Sequence, residues 1–183
     1  MRYVIIAAMC RSRGIGAKGG LPWKIPQDFH HFSTATRGSG NNAIVMGRVT
    51  WEGLPSSPLD GRDNIILSTD PSYCIPDGAN DRTRSFTTLE AIHQHCIEND
   101  YDTVWICGGE KVYRAYLDSG YVDDCVITYI EADYACDTYF PQLGSEWQVR
   151  RETPLTSACS ILPESTIRYI QREPPSGRNR DCR

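Results

Sequence analysis

The sequence predicts a single domain of the α/β class. Two runs, residues 3–10 and 102–107, are apolar almost throughout, which is typical of strands covered on both faces. Stretches with apolar side chains at helical spacing stand between such runs, and this alternation is typical of an α/β fold. The 183 residues are enough for one sizeable core, whereas two full domains would be cramped.

The composition argues against nucleic-acid and membrane partners. The formal net charge is −4 and the pI is near 5.5, so the chain offers no basic field to a phosphate backbone. No apolar run approaches the roughly 20 residues of a membrane helix. Residues 3–10 lack the length and the cleavage site of a signal peptide, so we expect a buried strand there.

The cysteines and histidines suggest neither a disulfide framework nor a metal site. The eight cysteines are scattered, with no C-x-x-C pair and no zinc-like spacing, and several lie in apolar strands. His30 and His31 are adjacent and point to different helix faces, so we expect solvated side chains rather than a metal pair. We therefore expect reduced thiols, a cytoplasmic protein and no metal.

A glycine-rich segment, residues 11–20, follows the first strand. Residues 14–19 match G-x-G-x-x-G, the pattern of a dinucleotide-binding Rossmann turn. Such a turn opens a helix and is followed about 20 positions later by an acidic residue. Here Leu21 and Pro22 follow, and the residues near position 34 are Thr and Ala. We predict a mobile loop that closes over a site; a merely flexible surface loop is the alternative.

Asp28 opens a predicted helix that runs to about residue 36. Trp23, Ile25, Phe29 and Phe32 surround it in the sequence. Apolar surroundings exclude water from a carboxylate and raise its pKa towards a value that suits proton chemistry. A first-turn carboxylate is also favoured by the helix dipole, so the alternative is that Asp28 only supports a solvated helix start.

Two further helix starts are suited to phosphate groups. A predicted strand at 43–46 leads into a helix with Arg48 and Thr50 at its start, where backbone N–H groups and a guanidinium attract an anion. The strand at 102–107 ends at Gly108-Gly109 before another helix, which suits a phosphate or pyrophosphate. The alternatives are a surface arginine with a capping threonine, and a tight packing turn.

Local patterns predict the remaining elements. Thr87 and Glu90 form a capping box for a helix that runs to about residue 97. The last two predicted strands form an antiparallel hairpin, and the polar residues 173–183 form a disordered tail behind a domain of residues 1–172. The other predicted segments are a loop at 54–62 and strands at 63–68, 123–131, 147–152 and 166–172.

A series of motifs from about residue 2 to residue 172 resembles the dihydrofolate reductase family. Each motif is weak by itself, but the set occurs in order and with compatible spacing, which makes the resemblance specific. The motifs are I-I-A-A at 5–8, G-x-G at 14–16, L-P-W at 21–23, Asp28, M-G-R-x-T-W at 46–51, R-x-N-I-I-L-S at 62–68, G-G-x-x-V-Y at 108–113, Thr128 and D-T-Y-F-P at 137–141.

The resemblance implies a fold and a reaction. The fold is a twisted, mostly parallel eight-stranded sheet with an antiparallel C-terminal edge strand and about four flanking helices. The reaction is the reduction of 7,8-dihydrofolate to tetrahydrofolate with NADPH. The resemblance also implies that antifolates bind, and we expect a monomer.

The resemblance gives three residues a catalytic role. Asp28 would hydrogen-bond the 2-amino group and a ring nitrogen of the pterin and promote protonation at N5. Trp23 would help to order a water near this carboxylate, and Thr128 would support the carboxylate from behind.

The remaining site residues implied by the resemblance fall into a substrate set and a cofactor set. Arg62 would pair with the α-carboxylate of the glutamate tail, and Arg48 with Ser68 would bind the 2′-phosphate of NADPH. The other substrate contacts would be Ile6, Ala7, Phe32, Leu54, Leu59, Cys107 and Tyr113. The other cofactor contacts would be Ala8, Ile15, Gly16, Gly20, Leu21, Gly47, Val49, Thr50, Leu67, Thr69, Cys107, Gly108, Gly109, Glu110, Lys111, Val112, Tyr113 and Thr138.

Two residues depart from the family pattern. Cys107 stands where the family usually has an aliphatic residue beside the pterin and the nicotinamide, which would open the site to thiol reagents. Cys136 occupies a loop position that is glycine in some members, which bears on loop motion.

Two alternative functions remain. A related pterin or pyrimidine reductase of the same fold, as in riboflavin synthesis, would not need Arg62 for a glutamate tail. A folate- or nucleotide-binding relative without turnover would not need Asp28.

Overall fold

The computed structural model describes residues 1–75, 80–155 and 162–173. Ten strands are found in these ranges: β1 (Arg2–Cys10), β2 (Gly14–Gly16), β3 (Asn42–Gly47), β4 (Asp63–Leu67), β5 (Thr83–Phe86), β6 (Thr103–Ile106), β7 (Asp124–Ile130), β8 (Thr138–Tyr139), β9 (Trp147–Pro154) and β10 (Ser165–Arg172). The four helices are α1 (Pro26–Arg37), α2 (Arg48–Glu52), α3 (Leu89–Glu98) and α4 (Glu110–Ser119).

Eight strands form one sheet in the order β5-β4-β3-β6-β1-β7-β10-β9, and β2 pairs separately with β8. All ladders from β5 to β7 are parallel, whereas β10 is antiparallel to both of its neighbours. The predicted fold class, the antiparallel C-terminal strand and the final hairpin are therefore confirmed. One detail was wrong: β10 lies inside the sheet, and β9 occupies the edge.

The sheet is organised around β1, which pairs with β6 on one side and β7 on the other. Ile5 is fully buried and faces Ile106 in one ladder and Cys125 in the other. Helices cover a parallel sheet on both faces, which explains why its central strands are apolar at successive positions rather than at alternate ones. The first run of the sequence is thus the centre of the core.

Helix α1 begins two residues before the predicted start. Pro26 occupies the first helical turn, where its missing N–H is not needed for a helical hydrogen bond. Gly38 ends the helix with φ of 53°, a backbone conformation that residues other than glycine rarely adopt. Asp28 is consequently inside the first turn rather than at the helix cap.

The glycine-rich segment differs from the predicted irregular loop. Residues 14–16 form β2, which pairs with β8, and Ala17 pairs with Gly20 in a tight turn. The carboxylate of Asp137 accepts a hydrogen bond of 2.7 Å from the backbone N–H of Lys18. These contacts attach the segment to the chain that follows β7.

The capping prediction for α3 was wrong by one residue. Thr88, not Thr87, is the N-cap residue, and its hydroxyl accepts a hydrogen bond of 3.1 Å from the backbone N–H of Ala91. Both threonines precede the helix in the sequence, so the pattern alone fixes the cap only approximately.

Some sequence predictions fall outside the described residues. These include most of the predicted tail, residues 174–183, and part of the connection between β9 and β10. Glu173 is described, and its backbone N–H donates to the carbonyl of Glu146 over 2.7 Å. No helix in the described part of the chain is long and apolar enough to cross a membrane.

The cap of α3 provides a stability test. Replacement of Thr88 by alanine removes the acceptor for an N-terminal helix N–H, so Thr88→Ala should lower the free energy of unfolding by about 1 kcal/mol. Thr87→Ala is the matched control and should change it by less than about 0.5 kcal/mol. Urea denaturation of both variants measures the difference, and equal losses would contradict the assignment of the cap.

Candidate active site

Whereas Arg62 directly precedes the amino end of β4, several of the predicted site residues meet at the carboxyl ends of the central parallel strands. In open α/β sheets this edge forms the crevice in which ligands bind. Ala8 of β1 lies directly beside Thr128 of β7. Gly47 ends β3, and Cys107 follows β6. Ser68 follows β4 at the same edge, so residues far apart in sequence converge there.

Asp28 is the buried carboxylate of this edge. It is only 8% exposed, and burial raises the pKa of its carboxyl above the ordinary value. A hydrogen bond with the Thr128 hydroxyl partly opposes this shift. The predicted desolvation is therefore confirmed, and Thr128 contacts the carboxylate as the resemblance implied. The expected contribution of Phe29 to this burial is wrong, because Phe29 is 47% exposed.

Trp23 is the second buried residue in this part of the site. Its side chain is 4% exposed and packs with Ile25 and with Cys10 at the end of β1. Its indole Nε1 is buried and has no hydrogen-bond partner among the described residues. A buried N–H without a partner is costly, so this group is available to a ligand or to a water bound with one.

An apolar wall lies on the other side of the crevice. Phe32, Leu54, Leu59 and Cys107 pack in one cluster against buried residues of β3, α2 and β4. Burial raises the pKa of the Cys107 thiol to about 12, so this thiol is protonated at neutral pH. Because the thiolate is the reactive form, the expected sensitivity of Cys107 to thiol reagents is not supported.

Arg62 carries a buried positive charge beside this wall. It is 3% exposed, and its guanidinium carbon lies 5.8 Å from the centre of the Phe32 ring. Nη1 donates to the carbonyl of Asp60 over 2.9 Å, but Nε is buried without a partner in the described part of the chain. Burial lowers the pKa of Arg62, yet a guanidinium remains charged at neutral pH. The group is therefore suited to an anionic ligand.

A second basic position lies beyond the ends of β3 and β4. A cavity of about 230 Å³ is lined by Ser68 and Tyr73, among others. The guanidinium of Arg48 lies 5.9 Å from the centre of the Tyr73 ring, and its pairing with Glu52 is long, at 3.9 Å. The structure thus brings Arg48 and Ser68 to one region, although 19 positions separate them in the sequence.

The turn after β6 requires its first glycine, Gly108, to be small. Gly108 has φ of 103°, and a β-carbon there would lie 2.8 Å from the Tyr113 ring. Its carbonyl accepts a hydrogen bond of 2.8 Å from the backbone N–H of Gly47, and the peptide bond to Gly109 is cis. The turn therefore joins the ends of β3 and β6 closely, as the packing alternative proposed, and it also leaves this edge free of side chains.

Helix α4 is attached to the site by side chains as well as by the turn. The Tyr113 hydroxyl donates to the carbonyl of Ile6 over 2.9 Å, and Val112 is buried. The Glu110 carboxylate accepts from the backbone N–H of Tyr139 over 2.9 Å and lies 3.4 Å from Arg114. The side chain of Glu110 is thus engaged by protein groups.

The remaining predicted contacts differ in exposure. Ile6 is buried, Ala7, Ala8, Ile15, Thr50 and Leu67 are half-buried, and Gly16 lies in β2 opposite Thr138. The exposed members are Gly20, Leu21, Val49, Thr69, Lys111 and Thr138.

Several residues at this edge were missed by the sequence analysis. Asp70, Tyr73 and Phe86 line the cavity next to Ser68. They follow or end β4 and β5, so the rule that parallel strands deliver ligand-binding residues at their carboxyl ends would have identified them. His31 was also misjudged: its Nε2 is buried without a partner among the described residues, and burial lowers the pKa of its imidazole.

Comparison with known proteins identifies relatives over almost the whole chain. The family model described as dihydrofolate reductase matches residues 2–166. The chain is 37% identical to dihydrofolate reductase of Aedes albopictus over 179 residues, which cover 93% of this chain and 95% of the relative. It is 35% identical to the Drosophila melanogaster enzyme over 155 residues, covering 81% and 84% of the two chains.

A solved structure matches the fold. Dihydrofolate reductase from Enterococcus faecalis, complexed with NADP(H) and RAB-propyl, superposes with a TM-score of 0.79 at 26% identity. The match covers 94% of this chain and 97% of that one.

The buried Asp28 leads to a prediction about stability and pH. Its carboxyl binds a proton more tightly in the folded state than in the unfolded state, so wild-type stability falls as pH rises from the ordinary Asp pKa through the raised one. Asp28→Asn has no charge to bury and should therefore be more stable than wild type at pH 7. The gain should disappear below the ordinary Asp pKa, as measured by urea denaturation between pH 3 and pH 7. A variant less stable than wild type at pH 7 would contradict the burial cost.

Proposed function

Since the chain belongs to the dihydrofolate reductase family, we propose that it reduces 7,8-dihydrofolate to tetrahydrofolate with NADPH, by hydride transfer to pterin C6 and protonation at N5. The observation that carries the proposal is Asp28, a carboxyl group 8% exposed with a raised pKa at the carboxyl edge of the sheet. A group of this kind holds or donates a proton at a pH where an exposed Asp does not.

Asp28 and its neighbours orient the pterin and its proton. The carboxylate accepts hydrogen bonds from the 2-amino group and ring N–H of the substrate, while the Thr128 hydroxyl keeps it in position from the β7 side. The buried Trp23 Nε1 donates to a water at the same place. The surrounding apolar side chains exclude other water, so the proton is kept for N5 of the substrate.

Arg62 and the apolar wall bind the rest of the substrate. Phe32, Leu54 and Leu59 offer an apolar surface to the ring that links the pterin to its tail. The unpaired Nε of the buried Arg62 then binds the α-carboxylate of the glutamate tail. This residue distinguishes a folate from pterin or pyrimidine substrates that lack the tail.

The residues on the other side of the crevice fit a phosphorylated dinucleotide. A β-carbon at Gly108 would fill the turn, and one at Gly47 would lie 3.1 Å from Val112. Glycine at both positions therefore leaves room for a ligand to come close to the backbone. Arg48 and Ser68 are suited to the 2′-phosphate of NADPH. When bound, NADPH supplies the hydride. The protein's part is to hold two flat rings in contact and to exclude water.

The cellular setting is part of the proposal. We propose a monomer in the cytoplasm that feeds one-carbon and thymidylate metabolism, binds antifolates at the same crevice, and has no nucleic-acid or membrane partner. The scattered cysteines of the sequence, without a disulfide-like spacing, support a reducing compartment.

The role of Asp28 is tested by Asp28→Asn. Loss of the carboxyl group should lower turnover at pH 7 at least about 10²-fold, a typical effect for a general acid. The wild-type rate should also fall as pH rises through the raised pKa of Asp28, and the variant should lack this ionisation. The measurement is the decrease in nicotinamide absorbance with dihydrofolate, with and without methotrexate.

Asp118→Asn is the control, because Asp118 is exposed on α4 and should leave turnover unchanged. The variant Asp28→Asn is expected to be folded and more stable at pH 7, so unfolding does not explain its loss of activity. Full turnover of Asp28→Asn at pH 7 would remove Asp28 from the reaction.

The role of Arg48 is tested by cofactor preference. Arg48→Ala should raise KM for NADPH about 10-fold or more while leaving KM for NADH nearly unchanged, because only NADPH carries the 2′-phosphate. Arg150→Ala, which removes an exposed arginine of the edge strand β9, is the matched control. An unchanged ratio of the two KM values in Arg48→Ala would place the phosphate elsewhere.

A further inference from the structure

The end of β1 and the segment before β8 bring two thiols together. A β-carbon on Gly14 would lie 3.0 Å from Cys10 Sγ and 2.6 Å from Cys136 Cβ, so both side chains lie against the same glycine. The same β-carbon would lie 2.4 Å from Cys136 Sγ, so the two sulfur atoms are at most 5.4 Å apart, the sum of their distances from it. The two residues are 126 positions apart in the sequence, and both are free cysteines. Neither the substrate nor the cofactor arrangement proposed above uses them.

We propose that Cys10 and Cys136 form a reversible disulfide when the protein meets a peroxide, and that this dithiol is a redox modification site. The sulfur atoms lie at most 5.4 Å apart, and side-chain rotation with local backbone movement would bring them to the S–S bond length of about 2 Å. Disulfide bonds that respond to redox conditions need one accessible sulfur and a second thiol placed to react with it.

The surroundings give the two thiols different parts in the reaction. Cys136 is half-buried, so it is the sulfur that a peroxide can reach, and it reacts from the thiol form because burial and the neighbouring Cys10 raise its pKa. Cys10 is fully buried, and burial by itself raises its pKa. Hydrogen bonds with Ser12, whose hydroxyl lies 3.3 Å away, and with backbone N–H groups outweigh this effect and lower the pKa of Cys10 below the ordinary value. The thiolate of Cys10 is therefore the better nucleophile.

The reaction proceeds in two balanced steps. The Cys136 sulfur attacks one peroxide oxygen, the O–O bond breaks, and the thiol proton passes to the departing oxygen, so Cys136 sulfenic acid and water form when the peroxide is hydrogen peroxide. The Cys10 thiolate then attacks the Cys136 sulfur, the S–O bond breaks, and the departing hydroxide takes the proton lost from Cys10. Two thiols are oxidised by two electrons and the peroxide is reduced to two waters; an external dithiol reverses the change.

Other described thiols lack this arrangement. Cys96 is fully buried, and burial raises its pKa to about 11. Cys125 is also fully buried with a raised pKa, and Cys107 has a pKa of about 12. Cys74 is exposed, and its Sγ donates a hydrogen bond to the carbonyl of Ser72 over 3.5 Å. Cys74 therefore provides a control for oxidation of an isolated thiol.

The cross-link would act on the segment at the mouth of the crevice. Cys136 lies two residues before β8, which pairs with β2, and the backbone N–H of Asp137 donates to the carbonyl of Gly16 over 3.0 Å. A disulfide would fix this two-stranded unit to the end of β1 and restrain the residues that follow it. Its effect on turnover rests on the proposed function, whereas formation of the bond does not.

The experiment treats the full-length protein with hydrogen peroxide, alkylates the remaining thiols and maps the disulfides by mass spectrometry. We expect residues 3–11 of a tryptic digest to be linked to residues 115–150, with tandem spectra that place the bond on Cys136 rather than Cys125. Turnover should fall at least threefold and recover with dithiothreitol. Cys74→Ser should behave as wild type, and Cys136→Ser should give neither the linked peptide nor the reversible loss.

The outcomes separate the two proposals. Absence of the Cys10–Cys136 peptide, linkage of Cys10 to another cysteine, or an equal reversible loss in Cys136→Ser would overturn the redox site. A protein inactive towards dihydrofolate before any oxidation would overturn the proposed function, while the mapped peptide would still decide the redox site. Cys10→Ala is a second variant that should abolish the linked peptide if Cys136→Ser does not fold.

Discussion

The candidate active site is organised around one carboxylate that is buried against the edge of a parallel sheet. Asp28 lies in the first turn of α1, and its partner Thr128 lies in β7, directly opposite Ala8 of β1. Burial disfavours the charge, and the hydroxyl compensates only in part, so the carboxyl binds its proton more tightly than an exposed one. The cost in stability and the proton chemistry have the same origin, which is the exclusion of water from this position.

The rest of the crevice provides charge and shape around that group. Arg62 and Arg48 are cations in different settings: one is buried beside an apolar wall, and the other is exposed beside a cavity. Gly108 after β6 is required for packing, because a side chain there would lie too close to the Tyr113 ring. The same absence of side chains leaves the backbone accessible to a ligand. The need for glycine in this turn is therefore consistent with both packing and ligand binding, which the sequence analysis treated as alternatives.

The sequence predictions were accurate for features that depend on nearby residues and less accurate for features that depend on residues far apart in the sequence. Buried strands and the desolvation of Asp28 were predicted because apolar neighbours in the sequence are also neighbours in space. The cap of α3 was displaced from Thr88 to Thr87, since either hydroxyl satisfies the local pattern. The strand at residues 14–16 was missed because its partner, β8, is more than 120 positions away. His31 was assigned to solvent because adjacency in a helix does not reveal what packs against it.

The sequence by itself determined the α/β class, the central strand, the helix that carries Asp28 and, through motifs in register, the family. The class, the strand and the helix rest on hydrophobic periodicity and turn residues, which act over a few positions, whereas the family rests on the resemblance of the motifs. Only the tertiary structure decided that β9 rather than β10 is the edge, that Arg62 lacks a carboxylate partner among the described residues, and that Cys10 meets Cys136. Such contacts form when the folded sheet brings together segments that are far apart in the sequence, and no local pattern specifies which segments will be neighbours.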